Sequence, residues 1–253
     1  MDVLVITQAR TGSTRLPNKV LKSIKGVSLL EMHVNRILKA KKISKLVIAT
    51  TNEKEDDNIV EIANKLGITY HRGSMNDVLD RFYQTAKKYN PKWIVRITSD
   101  CPLIDSALID SVIEKAKAND LDYCSNTLIE AFPDGQDIEV FKFTALETAW
   151  ENAKLLSERE HVTPYIRNNS TFFGGKLFKS DNYPSKKNYN SVRLTVDEFK
   201  DFEVIKYLID KIGFEGTWMD YTNEYLSSSI SEKNMDIKRN EGYQSSIDKE
   251  NNL

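Results

Sequence analysis

The sequence predicts an α/β protein with a mostly parallel sheet and helices on both faces. Short apolar runs alternate with amphipathic stretches as far as residue 118, an order typical of parallel sheets. The apolar runs have the length of strands and are too short to span a membrane. With 253 residues, 40% of them hydrophobic, the chain can bury one sizeable core.

The predicted elements follow one another in a regular order. An apolar strand over residues 3–6 leads into a loop over residues 8–19, and a capping box formed by Ser28 and Glu31 begins the first helix. Further strands are predicted at 45–50, 68–71 and 93–98, with helices at about 53–67, 78–89 and 105–118. Ligands of such sheets bind beyond the carboxyl ends of the strands, so the 8–19 loop and Asp100 are expected to share a crevice.

The pattern changes after Leu121. Strands of another direction are predicted at 122–126 and 138–141, a hairpin at 171–178 around Gly174 and Gly175, and a return to the sheet at 192–196. Helices are expected over 145–155 and 199–212, and a last amphipathic segment over 218–226. We therefore predict one domain over residues 1–226, with a small β-rich insertion at about 121–190, and a flexible polar tail over 227–253.

Composition excludes several classes of protein. The net charge of −1 argues against a general nucleic-acid binder. The two cysteines, Cys101 and Cys124, form no disulfide framework and no C-x-x-C motif. The apolar run at the N-terminus is too short for a signal peptide, so we expect a cytoplasmic protein without a membrane association.

The loop over residues 8–19, QARTGSTRLPNK, is a predicted phosphate-binding loop. Residues 3–30 hold five basic side chains and no acidic one, against the net charge of −1 for the whole chain. Gly12 lets the backbone approach a ligand, and Ser13 and Thr14 add hydroxyl donors. Neither a Walker A motif nor G-x-G-x-x-G is present. The combination favours a cradle of backbone N–H groups and cations over an ordinary solvated loop.

The motif A-R-x-G-S-x-R-L-P-x-K, which begins at Ala9, resembles the cytidylyltransferases that activate sugar acids, of the acylneuraminate and 3-deoxy-manno-octulosonate type. In detail the chain is most similar to the spore coat polysaccharide biosynthesis protein F family. The supporting stretches run almost end to end: RGSMNDVLDRF (72–82), RITSDCPLID (96–105), FPDGQDIEVF (132–141), SEREHVTPYI (157–166), RLTVDEFKDFEV (193–204) and RNEGY (239–243).

This resemblance implies a Rossmann-like nucleotidyltransferase that joins CMP from CTP to a sugar, expected to be a sugar acid, and releases pyrophosphate. The CMP-sugar would serve surface polysaccharide or glycan biosynthesis. The resemblance also implies catalytic roles for Arg10, Arg15, Lys19 and Asp100. Asp100 and Asp197 would hold Mg²⁺, which prefers carboxylate oxygens, although Asp197 could instead cap the helix that begins near residue 199. The nucleotide-binding set implied by the resemblance is Ala9, Arg10, Gly12, Ser13, Arg15, Lys19, Arg72, Arg81, Thr98 and Asp100.

The acceptor is expected beside a polar segment. Alternation places Asp137 and Glu139 on the same side of a strand, where Gln136 adds a further polar group. Arg159 could pair with a carboxylate through two hydrogen bonds, and His161 lies close to it in sequence. The resemblance favours an acidic eight- or nine-carbon sugar, while the acidic residues leave a neutral or amino-bearing acceptor open. A solvated strand edge is the alternative interpretation.

A homodimer is predicted through the insertion. The aromatic residues Phe172, Phe173 and Phe178 belong to a segment too short to bury both faces on one monomer, and related sugar-acid activators pair through this region. Two other functions stay open. One is a nucleotide-sugar glycosyltransferase, although Asp100-Cys101-Pro102 lacks the second carboxylate of a D-x-D motif. The other is a nucleotide-binding subunit without turnover.

Overall fold

The structure is a computed structural model that describes residues 1–251, and a seven-stranded sheet forms its centre. The strands in chain order are β1 (Val3–Gln8), β2 (Ser23–Ile24), β3 (Val27–Ser28), β4 (Lys45–Thr51), β5 (Thr69–Gly73), β6 (Trp93–Thr98), β7 (Tyr123–Ser125), β8 (Glu139–Lys142) and β9 (Ser180–Asn182). β2 and β3 pair with each other, and the others lie in the order β5-β4-β1-β6-β8-β7-β9. Within this sheet β8 runs antiparallel to its neighbours and the remaining pairs are parallel, which confirms the predicted fold class.

Helices surround the sheet. They are α1 (Leu29–Ile37), α2 (Asp57–Lys65), α3 (Val78–Lys87), α4 (Ser106–Ala118), α5 (Phe143–Asn152), α6 (Leu156–His161), α7 (Pro164–Asn168), α8 (Phe199–Ile212), α9 (Trp218–Ser227) and α10 (Glu241–Asn251). The capping box of α1 forms as predicted, because Ser28 and Glu31 exchange side-chain and backbone hydrogen bonds. None of the helices within residues 1–251 is long and apolar enough to cross a bilayer.

Alternation along β1 divides the core into two layers. Val3 and Val5 pack with α1, α2 and α4, whereas Leu4 and Ile6 pack with α3, α5 and α7 on the opposite face. A strand that is apolar on both faces is typical of a central parallel strand covered by helices. A third apolar cluster joins α8 and α9 to α1 and to Leu194. The three clusters hold the carboxyl ends of β1 and β6 in fixed positions.

Three local predictions were wrong. Only β8 has a reversed direction, so β7 runs the same way as β6. No hairpin forms at 171–178: Thr171–Phe173 is a short 3₁₀ helix, and Gly175 packs against the backbone of Asn169 too closely for a Cβ atom. Residues 192–196 do not rejoin the sheet, because their backbone bonds to Asp134 and Asp100 in loops.

The polar segment after residue 227 also differs from the expected flexible tail. It contains a 3₁₀ helix, Ser229–Lys233, and then α10, which packs against α6. Ser246 donates to Glu160 over 2.8 Å and lies 3.1 Å from the His161 ring, and the Ser157 hydroxyl donates to Glu250. Polar partners therefore hold this helix, which is why hydrophobicity gave no signal for it.

Candidate active site

A crevice opens beyond the carboxyl ends of β1 and β6 and has two connected parts. The loop lobe, a cavity of about 400 Å³, is lined by the predicted phosphate-binding loop through Arg10, Ser13, Thr14, Arg15 and Lys19. The acidic lobe, of about 240 Å³, is lined by Glu130, Asp134, Asp137 and Glu139. The two lobes share the residues at their junction, namely Arg15, Arg96, Thr98, Asp100, His161, Asp197 and Gly242.

The junction of the lobes holds the two predicted metal carboxylates. Lys19 Nζ lies 2.9 Å from Asp100 Oδ2 and 2.9 Å from Asp197 Oδ1, so the two oxygens are at most twice that distance apart. Burial opposes ionisation here, but the Lys19 ammonium and the Thr98 hydroxyl hold the pKa of Asp100 well below its usual value. The same two carboxylates outweigh burial and raise the pKa of Lys19. Lys19 and Asp100 are therefore both charged at neutral pH.

A buried histidine positions the Asp100 turn. His33 Nδ1 lies 2.9 Å from the Cys101 carbonyl, and the Thr7 hydroxyl lies 2.8 Å from Nε2. Burial lowers the pKa of His33 to about 4, so the ring is neutral. Because a carbonyl only accepts, Nδ1 carries the proton and Nε2 accepts from Thr7. This chain of hydrogen bonds ties α1 and β1 to the residue that follows Asp100.

Asp197 is fixed by a buried arginine. Arg193 donates to Asp197 over 3.0 Å, to Asp201 over 2.9 Å and to Asp134 over 2.6 Å. Asp201 caps α8 by accepting from the backbone N–H groups of Asp197 and Glu198. The carboxylate of Asp197 is therefore not the helix cap that sequence left open, and it faces the crevice.

The donor set at the junction fits a hard divalent cation. Asp100 and Asp197 converge from two loops on the Lys19 ammonium. The position between the two carboxylates is therefore one where positive charge is stabilised. Carboxylate oxygens completed by phosphate and water are the surroundings that Mg²⁺ accepts. No cluster of three or more His, Cys, Asp or Glu able to hold a metal occurs within residues 1–251, so the rest of the shell would come from a ligand.

Two arginines of the loop lobe, Arg10 and Arg81, are left out of the ion pairs that join Arg15 and Lys19 to carboxylates. Arg10 is exposed and forms no ion pair within residues 1–251, and Ala9 lines the lobe beside it. Arg81 is only 2% exposed, and its Nε atom has no hydrogen-bond partner in that part of the chain. Burial, together with the charge of Arg10, lowers the pKa of Arg81 to about 10. Such a surface suits an anionic ligand that also accepts hydrogen bonds.

The acidic lobe is a network of paired charges. Glu139 forms an ion pair with Arg96 and accepts from Tyr123 and Thr163 hydroxyls, each over 2.6 Å. Asp137 lies 2.5 Å from Arg239 Nη2. Burial and the neighbouring Asp137 raise the pKa of Asp134 to about 7.

His161 and Arg167 also line the acidic lobe. Burial lowers the pKa of His161 to about 4, and its ring packs edge-on against Tyr243. Arg167 lies over the Tyr243 ring and donates to the Tyr243 hydroxyl over 2.9 Å. Unlike Arg15, Arg96 and Arg239, it forms no ion pair within the described residues.

Four of the predicted site residues do not line either lobe. Arg72 is held by the carbonyls of Thr51 and Glu53 and by Asp57. Gly12 is exposed at the tip of the loop.

Gln136 and Arg159 are occupied elsewhere. Gln136 is fully buried, accepting from the Asp105 backbone and donating to the Leu103 carbonyl. Arg159 pairs through two nitrogens with Asp77. The polar groups of both side chains are thus engaged away from the acceptor side of the crevice.

Sequence reasoning missed several residues that the structure brings to the site, Arg167 among them. Arg96 is a charged residue inside the otherwise apolar stretch WIVRIT, and that break in hydrophobicity was the available signal. Arg239 and Tyr243 belong to the RNEGY stretch, which the resemblance singled out, but they lie in the segment expected to be a flexible tail.

A cationic loop after the first strand and two carboxylates at the ends of neighbouring segments define a nucleotide-handling α/β protein. The chain matches the cytidylyltransferase family over residues 4–237 and belongs to that family. It is therefore a nucleotidyltransferase, as predicted.

Individual relatives agree with this assignment. An uncharacterized protein of Methanocaldococcus jannaschii is 46% identical over 81% of this chain and 82% of its own. The spore coat polysaccharide biosynthesis protein SpsF of Bacillus subtilis is 34% identical over 84% of this chain and 88% of its own. A 3-deoxy-manno-octulosonate cytidylyltransferase of Hydrogenovibrio crunogenus is 28% identical over 79% of this chain and 78% of its own. The solved structure of a cytidylyltransferase from Leptospira borgpetersenii superposes with a TM-score of 0.87 at 34% identity, covering 94% of this chain and all of the other.

Proposed function

We propose that this protein transfers CMP from CTP to a sugar acid and releases pyrophosphate, with Mg²⁺ as its cofactor. The observation that carries the proposal is the junction of the two lobes, where Lys19, Asp100 and Asp197 meet beside an arginine-bearing loop. Positioning and charge stabilisation dominate the transfer of phosphoryl and nucleotidyl groups, so a site of this composition needs no separate side-chain base.

The loop lobe is the proposed site of the nucleotide. Arg10, Arg15 and Lys19 would neutralise the triphosphate, and Ser13 would donate a hydrogen bond to it. Asp100 and Asp197 would hold Mg²⁺, which when bound offsets negative charge on the phosphates. A hydroxyl oxygen of the acceptor bonds to the α-phosphorus, the bond from this phosphorus to the β-phosphate oxygen breaks, and the hydroxyl proton passes to solvent.

The acidic lobe is the proposed site of the acceptor. Asp137 and Glu139 can accept from sugar hydroxyls, while Arg167 supplies a cation that no carboxylate of the described chain pairs with. We therefore transfer to Arg167 the role that the sequence suggested for Arg159, that of a partner for the acceptor's carboxylate. The similarity to an enzyme named for 3-deoxy-manno-octulosonate supports an acidic acceptor.

We further propose a homodimer formed through residues 121–190, acting in the cytoplasm, where CTP is available. Six large apolar residues of this region are exposed, among them Phe172, Phe173 and Leu177 with exposed fractions of 37%, 52% and 51%. Burying them against a second copy would remove apolar surface from water.

The test is a pyrophosphate-release screen of the four nucleoside triphosphates against sugar acids, neutral sugars and sugar phosphates. We expect release with CTP and a sugar acid, in the presence of Mg²⁺, and little with neutral sugars. Arg167→Ala should raise the KM of the acidic acceptor, whereas Arg159→Ala is the matched control. Sugar transfer from a nucleotide sugar without pyrophosphate release would contradict the proposal, as would CTP binding with no release for any acceptor.

A further inference from the structure

We propose that Lys19 is an exchangeable cation, whose ammonium holds the place of the divalent cation between Asp100 and Asp197 and moves to the nucleotide phosphates when that cation binds. This inference rests on the proposed function, because it requires a metal and a triphosphate in the crevice. It adds a step that occurs before chemistry, namely the displacement of a protein side chain from the metal carboxylates.

The geometry makes the lysine and a metal ion mutually exclusive. Lys19 Nζ lies 2.9 Å from one oxygen of each carboxylate. A metal ion held by Asp100 and Asp197 would need the same carboxylate oxygens that Nζ contacts. Two cations cannot share that space, because their mutual repulsion is strong where little water screens it. The ammonium must therefore leave before the ion enters.

The two carboxylates depend on Lys19 to different degrees. Asp197 also pairs with Arg15 and Arg193, each over 3.0 Å. Asp100, in contrast, forms an ion pair with Lys19 alone within residues 1–251. Removing the lysine would leave Asp100 without a neighbouring cation, so the ammonium stabilises the empty site. The same contact lowers the affinity of the empty site for a metal.

The Lys19 side chain can also reach the loop lobe. It begins a short 3₁₀ helix, Lys19–Leu21, directly after the phosphate-binding loop, and it lines the loop lobe together with Arg10 and Ser13. Its unbranched, flexible side chain can turn from the carboxylates toward that lobe without a change in the backbone. A triphosphate in the loop lobe would offer the ammonium new oxygen partners. Metal and nucleotide would then favour each other's binding through this one side chain.

The test measures Mn²⁺ binding to the protein without nucleotide, by calorimetry and by the electron paramagnetic resonance of free Mn²⁺. Lys19→Met removes the ammonium and keeps the length of the side chain. We expect it to bind Mn²⁺ at least tenfold more tightly than the wild type, which corresponds to about 1.4 kcal/mol. Lys22→Met is the matched control, because Lys22 lies over the Phe202 ring and pairs with neither Asp100 nor Asp197. An affinity of Lys19→Met within twofold of the wild type, or weaker, would overturn the proposal.

Two further variants locate the effect. Lys19→Arg keeps a cation at this position and should bind Mn²⁺ as weakly as the wild type. Asp100→Asn added to Lys19→Met should abolish the gain, and a gain that persisted would place the ion elsewhere and refute the exchange. If circular dichroism shows that Lys19→Met does not fold, Lys19→Gln provides the same comparison with a polar side chain.

The test of the lysine exchange and the test of the proposed function can fail independently of each other. Pyrophosphate release by the wild type tests cytidylyl transfer, whereas Mn²⁺ affinity of the nucleotide-free variants tests the exchange. Pyrophosphate release by the wild type, together with an unchanged Mn²⁺ affinity of Lys19→Met, would refute only the exchange. A tenfold gain in affinity in a protein that releases no pyrophosphate would refute only the proposed function.

Discussion

Replacing His33 should change how the stability of the protein depends on pH. The neutral imidazole donates to the Cys101 carbonyl and accepts from Thr7, and burial lowers its pKa from the ordinary 6.5 to about 4. At a pH between these two pKa values, His33 binds a proton in the unfolded chain but not in the folded protein. The free energy of unfolding contributed by His33 is therefore fully present above pH 6.5 and decreases as the pH falls toward 4.

The size of the effect follows from the same shift. A difference of one pKa unit corresponds to about 1.36 kcal/mol, so lowering the pH from 7 to about 4.5 should cost the wild type about 2.5 kcal/mol through His33. His33→Gln keeps a donor and an acceptor but does not titrate in this range. The variant should be less stable than the wild type at pH 7, and its disadvantage should shrink by about 2.5 kcal/mol at pH 4.5.

Urea denaturation followed by circular dichroism at both pH values measures this difference. Comparing the two proteins cancels the titration of His161 and of the carboxylates, which are common to both. A stability difference that stays constant between pH 7 and pH 4.5 would refute the reasoning. It would mean that His33 is not held neutral between Thr7 and the Asp100 turn.

Three further predictions concern the crevice and the surface. Arg15→Ala should slow pyrophosphate release at least tenfold without unfolding, since losing a charge-assisted hydrogen bond costs about 1.5–3 kcal/mol; Lys22→Ala should retain the wild-type rate, and equal rates for both variants would contradict the role of Arg15. Asp100→Asn should abolish Mg²⁺-dependent turnover while CTP still binds without metal in calorimetry; an unchanged Mg²⁺ dependence would remove Asp100 from the site. Phe172→Asp should convert a dimer into monomers by light scattering, and a wild type that is already monomeric at micromolar concentration would refute the dimer.

The sequence was sufficient for the sheet and for the loop because both depend on local patterns. Apolar runs separated by amphipathic helices identified β1, β4, β5 and β6, and the cations of residues 8–19 line the loop lobe as the pattern indicated. Short elements were harder. Residues 192–196 look like a strand, but Arg193 is drawn into a buried cluster of carboxylates, and a single sequence shows no such long-range partners.

The acceptor side of the crevice was harder to predict for a related reason. Arg159 and Arg167 lie eight positions apart and carry the same charge, so only their partners distinguish them. Asp77 engages Arg159, while Arg167 reaches the lobe through Tyr243. Such pairings connect residues that are up to 82 positions apart in the chain, as Asp77 and Arg159 are, and therefore leave no local pattern.

The wall formed by Lys238–Tyr243 and α10 has a consequence for how this family can diversify. These residues line both lobes, yet α10 buries a single side chain, Ser246, and lies outside the three apolar clusters. Substitutions on exposed positions usually alter stability by less than about 0.5 kcal/mol. Asp100 is thus anchored next to the central strand β6, whereas part of the proposed acceptor surface belongs to a segment whose sequence can change at little cost in stability. Grafting this segment from a relative should transfer acceptor preference while the nucleotide stays the same.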